Sequence, residues 1–265
     1  MATDKVTLLK NLRSEGCDYE AILHSLNEEK RTAQTDGDKP CANYLWALEQ
    51  LVEIHKQFVG MYTLLRLAKY YEAWCVAAKV EISLHFLSSN STEVFETVKD
   101  LGAMVGQLQS LYPYRVFASY VMEIKKEACT ICGRERSIKH FCGHRVGRVY
   151  NGDLCLNEVK EASFKGVDIV ENPVNKYSVL FPSVDGKQKD HYDYTLIAGL
   201  MNYWSRPFQH WSYEIKNIFK CPDEFPDLHD DDSCPCGSAQ TYAECCKGNI
   251  KGIRHRIYRF VMETL

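Results

Sequence analysis

The first half of the chain places apolar residues among polar ones with the period of an α-helix. They recur at spacings of three and four in two consecutive stretches: Leu48, Leu51, Val52, Phe58, Val59, Tyr62 and Leu65, then Leu67, Tyr71, Trp74, Ala78 and Ile82. This spacing gives each helix one apolar stripe, which favours packing against a neighbouring helix. We therefore predict a helical domain over residues 1–128, with these stripes in its core.

From residue 129 the pattern changes to short apolar runs separated by turn residues. Asn151-Gly152 lies between two such runs and predicts a β-hairpin, because a type I′ turn needs positive φ at both central positions. Residues 167–170 and 177–181 are further runs typical of strands. The sequence predicts a β-containing element over 129–185, followed by a return to helix over 186–220.

The last part of the chain begins with the stretch CPDEFPDLHDDDS, residues 221–233. Its prolines and clustered acidic residues predict a solvated linker. The linker would present a small C-terminal module over residues 234–265. The predicted fold class is therefore α+β and mainly helical, with a helical N-terminal half, a central β-containing element and a small C-terminal module.

Composition and charge limit the function classes. The 265 residues are 45% apolar and 25% charged, with a net charge of -3, which argues against a chain that binds nucleic acid over its whole surface. No apolar run reaches the length needed to span a membrane, and the first ten residues lack the apolar core of a signal peptide. We expect a soluble cytoplasmic protein.

Twelve cysteines need an explanation in a reducing compartment, where disulfides rarely persist. One group lies in mid-chain, where Cys129 and Cys132 form a Cys-x2-Cys pair and Cys142 and His144 flank a glycine. Thiolate and imidazole ligands suit tetrahedral Zn²⁺, so these four residues are the preferred ligand set. His140 and Cys155 remain rival ligands. If Cys155 replaces one of the four, the predicted hairpin is the element that positions it. Four protein ligands leave no open coordination position, which is typical of a structural site.

The alternative for this group is a set of unliganded thiols, including a thioredoxin-like redox pair. Such a pair should open a helix after a strand. Here a basic loop containing Gly133 follows the pair instead, which favours metal binding.

The second group, CPCGSAQTYAECC, spans residues 234–246. Its close spacing allows one compact tetrahedral metal site. The segment resembles the SEC-C motif, the zinc-binding module at the C-terminus of the translocation motor SecA and of many unrelated bacterial proteins. The resemblance implies a second Zn²⁺ held by Cys234, Cys236, Cys245 and Cys246. The lysine pair usual in this motif is replaced here by Gln240-Thr241. The mid-chain pattern resembles uncharacterised bacterial zinc-finger proteins, which implies no activity.

Basic residues accompany both groups and leave two interpretations open. They are Arg134, Arg136, Lys139, Arg145 and Arg148 near the first group, and Lys247, Lys251, Arg254, Arg256 and Arg259 after the second. Tyr258 and Phe260 alternate with the second set, a combination that favours nucleic-acid contact. Solvated surface near the first group and a packed terminal strand or helix after the second are the structural alternatives.

No catalytic motif stands out in the sequence. Asp190, His191 and Asp193 bring three titratable side chains together, which is compatible with a hydrolase site or with a surface turn. The sequence predicts a non-enzymatic zinc-binding adaptor of a bacterial cytoplasm that binds a protein partner. The alternative is a nucleic-acid-binding component of a mobile-element or anti-phage defence system.

Overall fold

A computed structural model describes residues 5–137, 142–184, 186–238 and 240–263. The chain divides into two units. The first comprises Met1–Met201 and Arg206–Phe208, and the second comprises Asn202–Ser205 and Gln209–Leu265. One cysteine cluster lies in each unit.

Helices dominate the first part of the first unit, as the sequence predicts. Asp18 and Asp38 start α2 and α3 because their carboxylates accept the backbone N–H groups of Ala21 and Cys41. None of the helices in the described ranges is both long enough and apolar enough to cross a lipid bilayer. The helices are α1 Lys5–Leu12, α2 Tyr19–Thr35, α3 Lys39–Arg66, α4 Tyr70–Asn90, α5 Thr92–Phe95 and α6 Lys99–Ser110.

The predicted apolar stripes supply the core of this helical region. Leu51, Val52 and Phe58 are fully buried, and Trp74 is nearly so. Two stripe residues depart from the prediction. Leu67 is 62% exposed because α3 ends there and it becomes the C-cap residue, and Ile82 on α4 is 48% exposed. The core of the region is therefore built mainly by the long helix α3 and the facing side of α4.

Antiparallel strand pairs follow the helices. β1 Phe117–Cys129 pairs with β4 Asn157–Val170 in a long two-stranded ribbon, which we call the β1–β4 ribbon. Between them, β2 Val149–Tyr150 and β3 Asp153–Leu154 form the predicted hairpin. Its central residues, Asn151 and Gly152, have φ of 49° and 80°, as a type I′ turn requires. The first unit also contains β5 Ser183–Val184, β6 Lys187–Gln188 and α7 Thr195–Met201.

The β1–β4 ribbon changes the boundary drawn from the sequence. β1 starts at Phe117, inside the range predicted to be helical, and its partner strand begins only at Asn157. The predicted run 167–170 belongs to β4, whereas residues 177–181 contribute one isolated bridge, from Val179 to Phe117. A strand whose partner lies far along the chain is weakly marked by its local sequence.

The second unit is built on another ribbon. β7 Trp211–Lys220 lies within the 186–220 range predicted to be helical, and it pairs with β8 Ile253–Met262. Gly252 precedes β8 with φ of 96°, and a Cβ there would lie 2.4 Å from the carbonyl oxygen of Lys220. Only glycine fits so close an approach in this backbone conformation. The turn into β8 therefore depends on this residue.

Candidate metal centres

The first cysteine cluster lies at the base of the β1–β4 ribbon. Cys129 is the last residue of β1, and Cys132 follows it in a turn closed by the hydrogen bond from Gly133 N–H to Cys129 O at 2.8 Å. Cys142 and His144 lie on either side of Gly143, whose φ is 82°. One ligand atom from each of these four residues lies within 4.8 Å of all the others. The structure thus brings together the four residues of the preferred set.

The electrostatic surroundings of Cys129 favour a thiolate. Burial by itself raises the pKa of this thiol. The backbone N–H groups of Cys132 and Ile131, with the Cys155 side chain, outweigh burial and lower the pKa to about 6. The Nδ1 atom of His144 lies 3.7 Å from the Cys129 sulfur. A thiolate facing an imidazole nitrogen is the donor chemistry that Zn²⁺ prefers.

Cys155 lies directly beside this group. It is fully buried, and its sulfur is 3.8 Å from the sulfur of Cys129. Arg136 connects Cys155 to the four clustered residues, since its guanidinium donates to the Cys155 sulfur at 3.2 Å and to the His144 carbonyl at 3.1 Å. Cys155 is therefore a fifth donor at the edge of the site. The other rival ligand, His140, lies outside the described residues.

The hairpin delivers Cys155 to its position, as the sequence predicts for that residue. Cys155 follows β3, and its backbone bonds both ways to the chain before β2, donating to Arg148 O at 2.8 Å and accepting from Gly147 N at 2.7 Å. The hairpin is anchored on the helices through Asn90, which donates to Gly147 O at 2.8 Å and accepts Val149 N–H at 3.0 Å. The position of Cys155 is therefore set by the helical bundle.

Two of the basic residues near this cluster are engaged within the protein. Arg136 is turned toward Cys155 and His144, and Arg148 donates to the carbonyl of Ser89 on α4. Arg134 and Arg145 are exposed, whereas Lys139 lies outside the described residues. The basic rim expected from the sequence is thus smaller in the described structure. Arg136 was grouped with the basic residues that could contact nucleic acid, but its guanidinium instead supports the cysteine cluster.

The second cluster is tighter. One ligand atom from each of Cys234, Cys236, Cys245 and Cys246 lies within 4.8 Å of the others, and the sulfurs of Cys236 and Cys245 are 3.3 Å apart. Gly237 closes the first turn by donating to Cys234 O at 3.0 Å. Its φ of 74° is one that glycine adopts readily.

The cluster has a small apolar surrounding of its own. Tyr242 and Ile253 are buried with Cys234, Cys236 and Cys246, and Phe225 and Leu228 pack against them. The acidic segment 221–233, predicted to be a solvated linker, therefore belongs in part to this module. The backbones of Asp230 and Asp232 accept N–H bonds from Ala243 and Tyr242 at 3.0 and 2.8 Å. Lys247 also pairs with the Asp230 carboxylate.

Two thiols of this cluster have pKa values shifted in opposite directions. Burial raises the pKa of Cys234 to about 12. Burial opposes ionisation of Cys236 as well, but hydrogen bonds from Ser238 and from neighbouring thiols lower its pKa to about 6. All twelve cysteines of the chain lie in the described residues and are free thiols. The cluster can therefore supply thiolate ligands, with affinity that falls in acid because each thiol must lose its proton.

The two aspartates of the candidate hydrolase group have structural partners. Asp190 accepts Tyr192 N–H at 3.0 Å and the Tyr194 hydroxyl at 2.6 Å. Asp193 accepts Thr195 N–H at 2.9 Å at the start of α7, and the hydrogen bonds from Thr195 lower the pKa of this carboxyl. His191 is exposed. These contacts are those of a surface turn and a helix cap.

Comparison with known proteins bears on the second cluster. The family model described as SEC-C motif matches residues 232–247, which include all four of its cysteines. No curated protein and no solved structure matches the chain. The match covers a short segment, so it characterises the C-terminal cluster and leaves the rest of the chain to be interpreted from its own residues.

Proposed function

We propose that this chain is a non-enzymatic zinc-binding adaptor of a bacterial cytoplasm, in which two structural zinc sites support protein-binding surfaces. The observation that carries the proposal is the donor set of each cluster. Each provides four cysteine or histidine ligand atoms within 4.8 Å of one another. Four such ligands complete a tetrahedral zinc site and leave no position for a catalytic water.

In the first unit, Zn²⁺ would be held by Cys129, Cys132, Cys142 and His144. Because Cys129 ends β1, the metal would fix the end of this strand to the loop that leads back to β4. The pairing of Cys129 with Asn157 is the first of the β1–β4 ribbon on this side. The zinc would therefore act as a cross-link that sets the register of the ribbon.

In the second unit, Zn²⁺ would be held by Cys234, Cys236, Cys245 and Cys246. The apolar core around this cluster is small. A segment with so small a core would need the metal to fold independently. Metal binding would then be coupled to folding of the module. Zinc would thus have a structural role, and surface side chains of the protein would make the contacts with a partner.

Chelation tests the structural role of both metals. Hydrogen exchange of the full chain should show loss of protection around residues 127–158 and 234–246 after zinc removal, with the buried helices α3 and α4 retaining theirs. Cys246→Ser should reproduce the loss in the second segment alone. Cys221→Ser is the matched control, because Cys221 is exposed and lies outside both clusters. Unchanged exchange after complete chelation would reject structural zinc.

The adaptor role is tested by capture of protein partners from cells of the native host. A partner bound through the zinc-supported surface should be retained at high salt and lost with the Cys245→Ser/Cys246→Ser variant. Retention of the same partner by that variant would remove the second module from the interface. Capture of nucleic acid in place of protein would favour the second candidate function.

The second candidate is nucleic-acid binding by the β7–β8 ribbon. One face of this ribbon contains the cross-strand pairs Tyr213–Phe260, Ile215–Tyr258, Asn217–Arg256 and Phe219–Arg254. The rings of Tyr213 and Tyr258 lie 5.7 Å apart, and the Lys251 ammonium is 5.7 Å from the Phe219 ring. Aromatic rings beside cationic side chains are the elements of a single-strand binding surface.

Two arginines on opposite faces of β8 provide a matched test. Arg256 pairs with Asn217 on the aromatic face, whereas Arg259 pairs with Glu214 on the other face, and both are exposed. Arg256→Gln should weaken binding of a single-stranded oligonucleotide. It should also reduce the slope of log K against log salt concentration by about one. Arg259→Gln should have little effect. Equal effects, or no salt-dependent binding by the wild type, would reject this candidate.

A further inference from the structure

One face of the β1–β4 ribbon is apolar over residues 118–124 of β1 and 162–169 of β4, across a register shift between Val121 and Met122. Directly opposed residues of an antiparallel pair share a face. The pairs on this face, which we call the apolar ribbon face, are Ala118–Ile169, Tyr120–Val167, Met122–Phe164 and Ile124–Ala162. The rings of Tyr120 and Phe164 lie 6.4 Å apart, as expected for neighbours on one face. The opposite face is mixed, since it includes the pairs Ser119–Asp168 and Glu123–Ser163.

The large side chains of the apolar ribbon face are open to solvent. The exposed fractions are 65% for Tyr120, 46% for Met122, 47% for Ile124, 60% for Phe164, 49% for Val167 and 72% for Ile169. Because a large apolar side chain has an area of about 150–250 Å², these six leave roughly 600 Å² uncovered. That is the upper end of the patch size found on monomers. A two-stranded ribbon with such a face needs a covering layer to be stable.

The charged residues of the ribbon limit which kind of partner could cover the apolar ribbon face. Lys165 pairs with Glu123 at 2.6 Å, and Lys160 pairs with Glu158 at 2.6 Å. Glu161 lies 3.7 Å from the ammonium groups of both Lys125 and Lys126. The ribbon therefore carries both signs of charge in close internal pairs. This arrangement gives little attraction for a strongly charged partner such as a nucleic acid or an anionic membrane.

We propose that the apolar ribbon face binds the same face of a second copy of this chain. An isologous contact joins identical patches, so the patch must complement itself, and a face of uniform apolar pairs beside balanced charges does so. Two such faces would bury roughly 1,200 Å² in total, which is the lower limit for a stable specific interface. The two ribbons would form a small sandwich of aligned sheets. Area alone does not set affinity, but an interface at this lower limit of size is expected to be weak, with a Kd on the order of micromolar.

Adjacent residues on opposite faces give the test. Phe164 lies on the apolar ribbon face, and Ser163 lies on the other face opposite Glu123. Sedimentation of the full zinc-loaded chain over a range up to about 100 µM should show a monomer–dimer equilibrium. Phe164→Lys should raise the dimer Kd at least roughly tenfold, whereas Ser163→Lys, which places the new charge opposite Glu123 without repulsion, should change it little.

A second variant guards against a folding defect in the first. Tyr120→Ala/Phe164→Ala removes apolar area without adding charge, and zinc content and circular dichroism report whether either variant is folded. A folded variant with a weakened dimer supports the proposal. A wild-type chain that stays monomeric over the whole range overturns it, as does a dimer that both Phe164 variants leave intact. Binding of a different protein to this face of a monomeric chain would also overturn it.

Discussion

Asn43 and Gly152 are joined by a hydrogen bond from the glycine N–H to the asparagine Oδ1 at 2.8 Å, across 109 positions of sequence. The bond ties the tip of the β2–β3 hairpin to helix α3. Gln34 on α2 adds a second tie by donating to Asn151 O at 2.8 Å. The helical bundle thus fixes the tip of the hairpin. Cys155 follows β3 of this hairpin and lies beside the first cysteine cluster.

Replacing Gly152 by alanine should loosen this attachment. The residue has φ of 80°, and a Cβ there would lie 3.1 Å from the carbonyl oxygen of Ala42. Backbone strain and the tight contact together should lower the free energy of unfolding by about 2–4 kcal/mol, measured by denaturant titration with zinc present. Gly37→Ala is the control, because Gly37 has φ of 74° with nothing within 4 Å of the added Cβ. Equal losses for the two variants would argue against close packing at Gly152.

Cys155, the fifth donor beside the first cluster, should contribute less to zinc affinity than the four clustered ligands. Cys142→Ser should abolish zinc binding there, since Cys142 belongs to the group of four close ligand atoms. Cys155→Ser should retain the metal and weaken its affinity by about 10–100-fold, as loss of a residue that supports a ligand does. Competition with a chromophoric chelator measures both affinities. The reverse ranking would place Cys155 in the ligand set instead of Cys142.

How far the sequence predicts this structure depends on whether a feature is local. Hydrophobic period locates the helices around Leu51 and Phe58, and cysteine spacing identifies both clusters, because each signal lies within a few turns of chain. The Asn151-Gly152 turn is recognisable for the same reason. The attachment of Gly152 to Asn43 has no local signature, since it depends on how distant elements pack. Strands β1 and β7 were hidden in the same way, because their partners lie far along the chain.

Buried His55 should make stability depend on pH. Its ring is fully buried, with Nδ1 2.8 Å from Leu51 O, and Nε2 has no hydrogen-bond partner among the residues that the structure describes. Burial is the main cause that lowers the pKa to about 4; Arg13 lowers it further, while the hydrogen bond to Leu51 and the charge of Asp100 oppose the shift. The unfolded chain binds this proton near pH 6.5, whereas the folded chain does not bind it until about pH 4. Stability should therefore fall across that window, by on the order of 3 kcal/mol.

His55→Leu should flatten this dependence while keeping similar packing. The measurement is the difference in the free energy of unfolding between wild type and variant from pH 7 to pH 4. Acid release of metal affects both proteins, so the difference isolates the histidine. A difference that stays constant across the window would contradict a neutral buried His55.

The central claim is that the chain contains two independent structural zinc sites, one per cluster. Native mass spectrometry of the full chain counts the bound metal most directly. The account predicts two zinc ions per chain, one remaining in Cys129→Ser/Cys132→Ser and the other remaining in Cys245→Ser/Cys246→Ser. Wild-type protein prepared with zinc that binds one ion or none, or paired variants that leave the count at two, would contradict it.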